Sequence, residues 1–217
     1  EKGLKPSPAA DGEALLRRLS YDLIGLPPTS VEVDAFSRDY DSALAFDAMA
    51  ARKGQPVRAV ASVVERTVDR LLASPHYGER WARHWLDTAR YSDTKGLKRN
   101  GTIETFDSSW TYRDYVIDAF NTDKPYDQFI IEQLAADRLP DLAKDDPRLA
   151  ALGFVTVGKR FQNNDDTIDE RIDATTKGFL GLTVSCSRCH DHKFDPIPAA
   201  DYYSLHGIFA SVIEPQT

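Results

Sequence analysis

Apolar residues recur at intervals of three and four along most of the chain, and this spacing limits the possible folds more than any other feature of the sequence. Val60, Val64, Val68 and Leu71 form one such series. Side chains with this spacing lie on one face of an α-helix, where they can be buried against a neighbouring element. The sequence therefore predicts a domain built mainly from amphipathic helices.

Capping residues and prolines set the ends of the predicted helices. Ser74 and Pro75 follow one helix and begin the next, which extends to Tyr91. Thr167 and Glu170 have the spacing of a capping box at the start of another helix that leads toward the cysteines. The other predicted helices span Gly12–Ile24, Trp110–Asn121, Tyr126–Ala136 and Ala199–Ala210.

Some stretches carry weaker patterns. Residues 38–63 are rich in alanine and are predicted as a possible insertion, and the short apolar run 153–158 is compatible with a strand. The polar run 163–166 lacks the glycine and alternating ligands of a calcium loop and is predicted to cap a helix. No hairpin signal is recognisable. We expect a mostly α fold, an irregular multi-helix domain with few or no strands.

Composition and charge narrow the class of protein. Among 217 residues, 41% are hydrophobic and 28% charged, which is typical of a folded globular domain. The formal net charge of −7 does not favour nucleic acid as a partner, because phosphate binding requires basic residues. No apolar run is long enough to span a membrane. The chain begins at Glu1 without a signal peptide, so we expect a piece of a longer protein.

The only two cysteines lie three residues apart in the sequence Cys186-Ser187-Arg188-Cys189-His190. This CxxCH pattern is typical of c-type haem attachment. Its spacing lets two thiols bond to one porphyrin edge while the adjacent imidazole becomes the proximal iron ligand. The motif predicts one covalent haem c, attached through Cys186 and Cys189 and ligated by His190.

Three other interpretations of the motif remain open. Zinc can bind cysteine and histidine, and His192 supplies a fourth ligand, although structural zinc sites usually combine two separated ligand pairs. A CxxC pair can also serve thiol–disulfide exchange, but the surrounding βαβ pattern of thioredoxin-like proteins is missing. Two inert buried cysteines would not explain the polar His-Asp-His-Lys run beside them.

The residues around the motif, GFLGLTVSCSRCHDHKFDPIP at positions 178–198, resemble the planctomycete-type cytochrome c domain family, specifically its second cytochrome domain. The resemblance also covers Arg18–Thr29, Val68–Tyr91 and Trp110–Pro140. It implies a single haem domain over residues 1–217, flanked by other domains of the same polypeptide, in an exported or periplasmic protein. It does not extend to residues 38–63, and it is loose over residues 95–109.

The sixth iron position decides between electron transfer and catalysis. Histidine is the expected ligand, and the candidates in order are His84, His76 and His206. His192 is too close to His190 along the chain to reach the opposite haem face, and we expect it to form a supporting hydrogen bond. The arginines that are candidates for binding the haem propionates are Arg80, Arg83, Arg90, Arg113 and Arg188.

These observations favour a c-type cytochrome domain that transfers electrons to redox partners within a larger exported protein. The first alternative is a haem enzyme with an open sixth position, which would act on a small molecule or a carbohydrate-derived substrate. A zinc-stabilised interaction module is the second alternative. The sequence alone identifies no substrate.

Overall fold

The computed structural model describes residues 9–97, 101–140, 142–159 and 163–212, together with residues 3, 7 and 161. The chain divides into two compact units, residues 1–81 and 82–217. The helices of the first half are α1 (Gly12–Leu23), α2 (Ser30–Arg52), α3 (Ala59–Leu72) and α4 (Pro75–Thr88). Those of the second half are α5 (Ser109–Asn121), α6 (Tyr126–Ala135), α7 (Gly153–Thr156), α8 (Asn164–Thr175) and α9 (Ala199–Ala210). The mostly helical fold predicted from the apolar spacing is confirmed.

In the first unit, α2 packs against both α1 and α3. The buried residues of this unit include Leu16 of α1, Phe36 and Tyr40 of α2, and Val63 of α3. The rings of Phe36 and Tyr40 are stacked, with their centroids 5.7 Å apart. These side chains come from the helical stripes that the sequence pattern indicated.

The alanine-rich residues 38–63 belong to these helices. They form the last two thirds of α2, a short connection, and the start of α3. Ala43, Asp47 and Ala50 are buried. The Asp47 carboxylate accepts hydrogen bonds from the main-chain N–H groups of Ala59 (2.9 Å) and Val60 (3.0 Å), so a side chain of α2 caps the first turn of α3.

The second unit has a core of Ala82, Ala89, Tyr112, Val116, Phe154 and Val157. Trp85 of α4 packs against this core, with its ring centroid 5.8 Å from that of Phe154 and 4.9 Å from that of Phe129. Residues 153–158 do not form a strand. A 3₁₀ segment, Pro147–Leu152, leads directly into the single helical turn α7.

The second unit also contains an antiparallel hairpin that the sequence did not indicate. Strand β1 (Thr94–Leu97) pairs with β2 (Ile103–Thr105), and the register is irregular between Thr94 and Gly96. The prediction missed it because the strands are only four and three residues long. Within them no clear alternation of apolar and polar residues can develop.

Helix α8 begins earlier than the predicted capping box. Its N-cap is Asn163, whose side-chain oxygen accepts the N–H of Asp165 at 3.0 Å, so the capping role predicted for this polar run is confirmed. Thr167 instead lies buried inside the helix and accepts the N–H of Phe161 at 3.1 Å. After α8 the chain makes a π-helical turn, Thr176–Leu180, which ends at Gly181 in the left-handed conformation (φ 66°).

Helix α9 completes the second unit by packing on α8. The buried side chains between these elements are Ile168, Ile172, Val184 and Tyr202. In the parts of the chain that the structure describes, no helix has both the length and the apolar character needed to cross a membrane, as predicted.

Candidate functional site

The two cysteines lie on one short turn at the surface. Ser185–Arg188 forms a 3₁₀ turn in which the N–H of Ser187 donates to the carbonyl of Val184 at 2.8 Å. The N–H of Cys189 donates to the carbonyl of Cys186 at 3.3 Å. Both cysteines are free thiols and both are exposed, so each sulfur is accessible to a reaction partner from solvent.

His190 follows this turn and is also exposed. Its Nδ1 lies 2.8 Å from the main-chain carbonyl oxygen of Asp191. A carbonyl oxygen only accepts hydrogen bonds, so Nδ1 carries the proton and the neutral imidazole keeps its lone pair on Nε2. This is the tautomer of an imidazole that binds a metal through Nε2.

The guanidinium group of Arg188 ties the turn to α8. Its Nη1 donates to Oδ1 of Asp166 at 2.9 Å and lies 3.8 Å from Oδ2 of Asp169. The hydrogen bond with Asp166 raises the pKa of Arg188. Asp169 also accepts the hydroxyl of Tyr202 at 2.7 Å, so one carboxylate joins the turn, α8 and α9. Burial, and then this carboxylate, raises the pKa of Tyr202.

Two hydrogen bonds connect the turn to α9. The hydroxyl of Tyr203 donates to the carbonyl of Arg188 at 2.9 Å. The carboxylate of Asp191 accepts the N–H of Ala199 at 2.8 Å, in the first turn of α9. Asp191 therefore accepts a hydrogen bond from His190 with its main-chain carbonyl and another from α9 with its carboxylate.

His192 organises the loop that follows the motif. Its Nδ1 accepts the main-chain N–H of Asp195 at 2.9 Å, and its own N–H donates to the carbonyl of Ile197 at 2.9 Å. The buried Ser187 hydroxyl donates to the same carbonyl at 3.2 Å. Beside this loop lies a shallow open depression of about 350 Å³, lined by Asp191, His192, Asp195, Pro196, Ile197 and Pro198.

The three candidate sixth ligands have different surroundings. His76 lies in the first unit, where its Nδ1 is 2.8 Å from the carboxylate of Glu79. His84 is exposed on the part of α4 that belongs to the second unit. His206 is half-buried on α9, with Nε2 3.5 Å from Asp165 and its ring 6.1 Å from that of Tyr203.

Most of the arginines proposed to bind propionates already form ion pairs with carboxylates. Arg90 binds Glu170 through two hydrogen bonds, and Arg113 pairs with the adjacent Asp114 at 3.0 Å. Arg188 pairs with α8 as described above. Arg83 is exposed, and Arg80 lies in the first unit, where its side chain packs close to Gly25.

No three His, Cys, Asp or Glu side chains within the described ranges are grouped so that they could hold a metal ion. Cys186, Cys189, His190 and His192 are all among these residues. The structure thus does not gather them as the four ligands of a zinc ion. A set of two accessible thiols and one imidazole with a free Nε2 does fit covalent haem attachment.

Sequence reasoning found the motif but missed the residues that hold it in place. Tyr203, Asp166 and Asp169 reach the turn from α8 and α9, 15 to 22 residues away along the chain. No local spacing marks such contacts. The role of Asp191 had a weak signal, because an aspartate shortly before a helix often accepts one of its free N–H groups.

Comparison with known proteins agrees with the family resemblance. No curated protein and no solved structure matches the chain. The family model described as PSCyt2, a protein of unknown function (DUF1549), matches residues 1–214. Since the match covers nearly all of the 217 residues, the chain belongs to the PSCyt2 family.

Proposed function

We propose that the chain is a c-type cytochrome domain that carries one haem on Cys186 and Cys189 and transfers electrons within a larger exported protein. The observation that carries this proposal is the motif itself, with two exposed thiols on one turn and an adjacent imidazole whose Nε2 is free. Bound haem would supply a one-electron couple between ferric and ferrous iron.

The thiols supply the covalent attachment. Each thiol would add across one vinyl double bond of the haem, with the sulfur bonding to one carbon and the thiol hydrogen going to the other. The addition consumes no oxidant, and it requires both cysteines to be reduced. Cys186 and Cys189 lie at the surface as free thiols, which makes them accessible to the vinyl groups.

His190 supplies the proximal nitrogen. The hydrogen bond from Nδ1 to the carbonyl of Asp191 fixes the tautomer that leaves the lone pair on Nε2 for the iron. The contacts of Arg188 and Tyr203 hold the same turn against α8 and α9. Because these contacts already order the turn, attachment of haem would cost less conformational entropy.

The sixth position separates electron transfer from catalysis. We propose a histidine there, with His84 as the first candidate because it lies in the same unit as the motif and is exposed. A second strong ligand closes the site to small molecules and favours a low-spin iron suited to electron transfer.

The test uses the chain exported in a host that is competent for cytochrome maturation, because attachment requires reduced thiols and a maturation apparatus. Absorption spectra of the oxidised and dithionite-reduced protein are recorded, and a denaturing gel is stained for haem. We expect a low-spin c-type spectrum and a haem stain on the denatured chain.

Variants identify the residues responsible. The double variant Cys186→Ser/Cys189→Ser should lose the haem stain completely, whereas His190→Ala should lose the low-spin spectrum. The matched control is Thr183→Ala, which changes an exposed side chain just before the same turn. A stain that survives the double variant would overturn the proposal, and so would the absence of haem from the wild type with zinc bound.

The spectrum also decides the role of the haem. A low-spin resting spectrum that becomes high-spin in His84→Ala supports the assignment of this ligand. A high-spin resting spectrum, with binding of carbon monoxide or cyanide, would replace electron transfer with catalysis at an open position.

A further inference from the structure

We infer that four exposed apolar side chains around the attachment turn form the surface that covers the porphyrin. They are Leu180, Leu182, Phe194 and Tyr203, which we call the apolar rim. The inference rests on the proposed function, because the porphyrin is the occupant to which the rim is assigned.

The exposure of these side chains is the first observation. Phe194 is 81% exposed, the largest value for a large apolar residue in the described part of the chain, and Leu180 is 65% exposed. Leu182 and Tyr203 are 38% and 54% exposed. Isolated exposed apolar residues are normal on protein surfaces, but several beside one reactive site mark a ligand-binding surface.

Phe194 is held outward by a well-bonded loop. Its main-chain N–H donates to Nδ1 of His192 at 3.4 Å, next to the stronger bond from Asp195. The bond from Ser187 to Ile197 ties the loop to the attachment turn. The loop therefore places Phe194 on ordered backbone four residues after His190, with its ring exposed and the Lys193 ammonium 4.9 Å from the ring centroid.

The other members of the rim are fixed in the same way. The hydroxyl of Tyr203 donates to the carbonyl of Arg188, which keeps this side chain against the turn. The N–H of Leu182 donates to the carbonyl of Thr176 at 3.2 Å and closes the π-helical turn, so Leu180 and Leu182 lie on ordered backbone just before the motif.

The covalent tether identifies the occupant. A porphyrin bonded to Cys186 and Cys189 would lie over side chains close to those sulfurs. Leu180, Leu182 and Phe194 are within six residues of a cysteine along the chain, and Tyr203 donates a hydrogen bond to the turn itself. The depression lined by His192 and Pro196 is shallow and open, so it does not enclose a ligand of this size. The large apolar faces of the porphyrin must then be covered by exposed apolar side chains.

The test compares methyl NMR spectra of haem-free and haem-loaded protein labelled at leucine methyl groups. A porphyrin ring and its iron strongly shift the resonances of methyl groups in contact with them. We expect large shifts for Leu180 and Leu182, assigned with Leu180→Ile and Leu182→Ile. The control is Leu134 on α6, which has the same 38% exposure as Leu182 and should keep its resonance.

A second measurement addresses Phe194. Phe194→Ala exposes the haem to water, which favours the ferric state, so its reduction potential should fall. Phe161→Ala, which removes a ring with 40% exposure, is the control and should leave the potential unchanged.

The outcomes separate the rim from the proposed function. Covalent haem in the wild type, with unshifted Leu180 and Leu182 methyl groups, overturns the rim and leaves the cytochrome proposal intact. Leu180 and Leu182 resonances of the haem-loaded protein that change on dilution would show that a second copy, and not the porphyrin, covers the rim, which also overturns the inference. Absence of a haem stain from the wild type overturns both proposals.

Discussion

Glu132 shows how much of this fold depends on a single buried charge. Its side chain is fully buried and accepts hydrogen bonds from the hydroxyl of Tyr115 (2.7 Å), Nζ of Lys124 (2.5 Å) and Nε2 of Gln128 (3.1 Å). Burial, and after it the hydrogen bond to Glu132, raises the pKa of Tyr115. The carboxylate thus joins α5, α6 and the loop between them.

We predict that Glu132→Ala lowers the free energy of unfolding by about 3–5 kcal/mol, because it leaves the partly buried Lys124 ammonium without its counter-ion. Denaturant unfolding followed by circular dichroism measures the change. Glu65→Ala on the exposed surface of α3 is the control and should cost less than about 0.5 kcal/mol. A cost below about 1 kcal/mol for Glu132→Ala would show that the network contributes no more than a surface ion pair.

Asp47 gives the first unit a predictable dependence on pH. Hydrogen bonds from the N–H groups of Val60, Ala59 and Arg58 lower the pKa of this carboxyl below its ordinary value of 3.8. Because the folded pKa is the lower one, the stabilisation is complete well above pH 3.8 and is lost as the pH falls through the folded pKa.

We therefore expect Asp47→Asn to reduce the loss of stability between neutral and acidic pH. The measurement is the free energy of unfolding across that pH range. Asp41→Asn, on the exposed side of the same helix, is the control and should keep the wild-type profile. If the free energy of unfolding of Asp47→Asn falls with pH as steeply as that of the wild type, the Asp47 carboxylate does not contribute to the pH dependence.

At the scale of elements, the start of α2 contains a complete capping box. The hydroxyl of Thr29 accepts the N–H of Glu32 at 3.3 Å, and the Glu32 carboxylate accepts the N–H of Thr29 at 2.8 Å. The hydrogen bonds from Thr29 lower the pKa of Glu32. Glu32 also pairs with Arg70 of α3 at 2.8 Å.

We predict that Thr29→Ala costs about 0.5–2 kcal/mol of stability, because the N–H of Glu32 in the first turn of α2 loses the hydroxyl that accepts it. Thr29→Ser keeps the hydroxyl and should retain most of the stability that the alanine variant loses. Thermal unfolding of the three proteins measures the difference. Equal loss in the alanine and serine variants would show that the methyl group of Thr29, and not its hydroxyl, is responsible.

Substitution by alanine is expected to change stability in opposite directions at two glycines, one in α7 and one in α9. A Cβ on Gly153 of α7 would lie 2.4 Å from Cβ of Tyr112, a buried side chain of α5 that cannot move away freely. A Cβ on Gly207 of α9 would meet nothing within 4 Å.

Gly153→Ala should therefore destabilise the protein by about 1–3 kcal/mol through overpacking. Gly207→Ala should stabilise it by about 0.5–1 kcal/mol, because alanine loses less backbone entropy in a helix. Both are measured by denaturant unfolding. A neutral Gly153→Ala would mean that α7 can shift away from Tyr112 at little cost.

The elements also show what sequence patterns can and cannot predict. The pattern Thr-x-x-Glu occurs twice, and it marks the true start of α2 at Thr29 but lies inside α8 at Thr167. In α8 the side chain of Asn163 takes the capping position, and Thr167 bonds instead to Phe161. The pattern alone does not distinguish these cases. The outcome depends on whether another residue, here Asn163, already caps the helix closer to its start.

At the scale of the whole molecule, the mostly helical class was predictable because helical periodicity is a local property of the sequence. The division between Trp81 and Ala82 was not predictable, since it falls within the continuous helix α4. The motif at Cys186 was likewise visible in the sequence. Its attachment to α8 and α9 through Arg188 and Tyr203 was not, because those contacts exist only in the folded chain.

The most direct test of the central claim is the intact mass of the denatured, fully reduced chain after export from a host competent for cytochrome maturation. We predict a mass increased by that of one haem, with neither Cys186 nor Cys189 available to an alkylating reagent. An unmodified mass, with both thiols alkylated, would contradict the proposal that this chain is a c-type cytochrome domain.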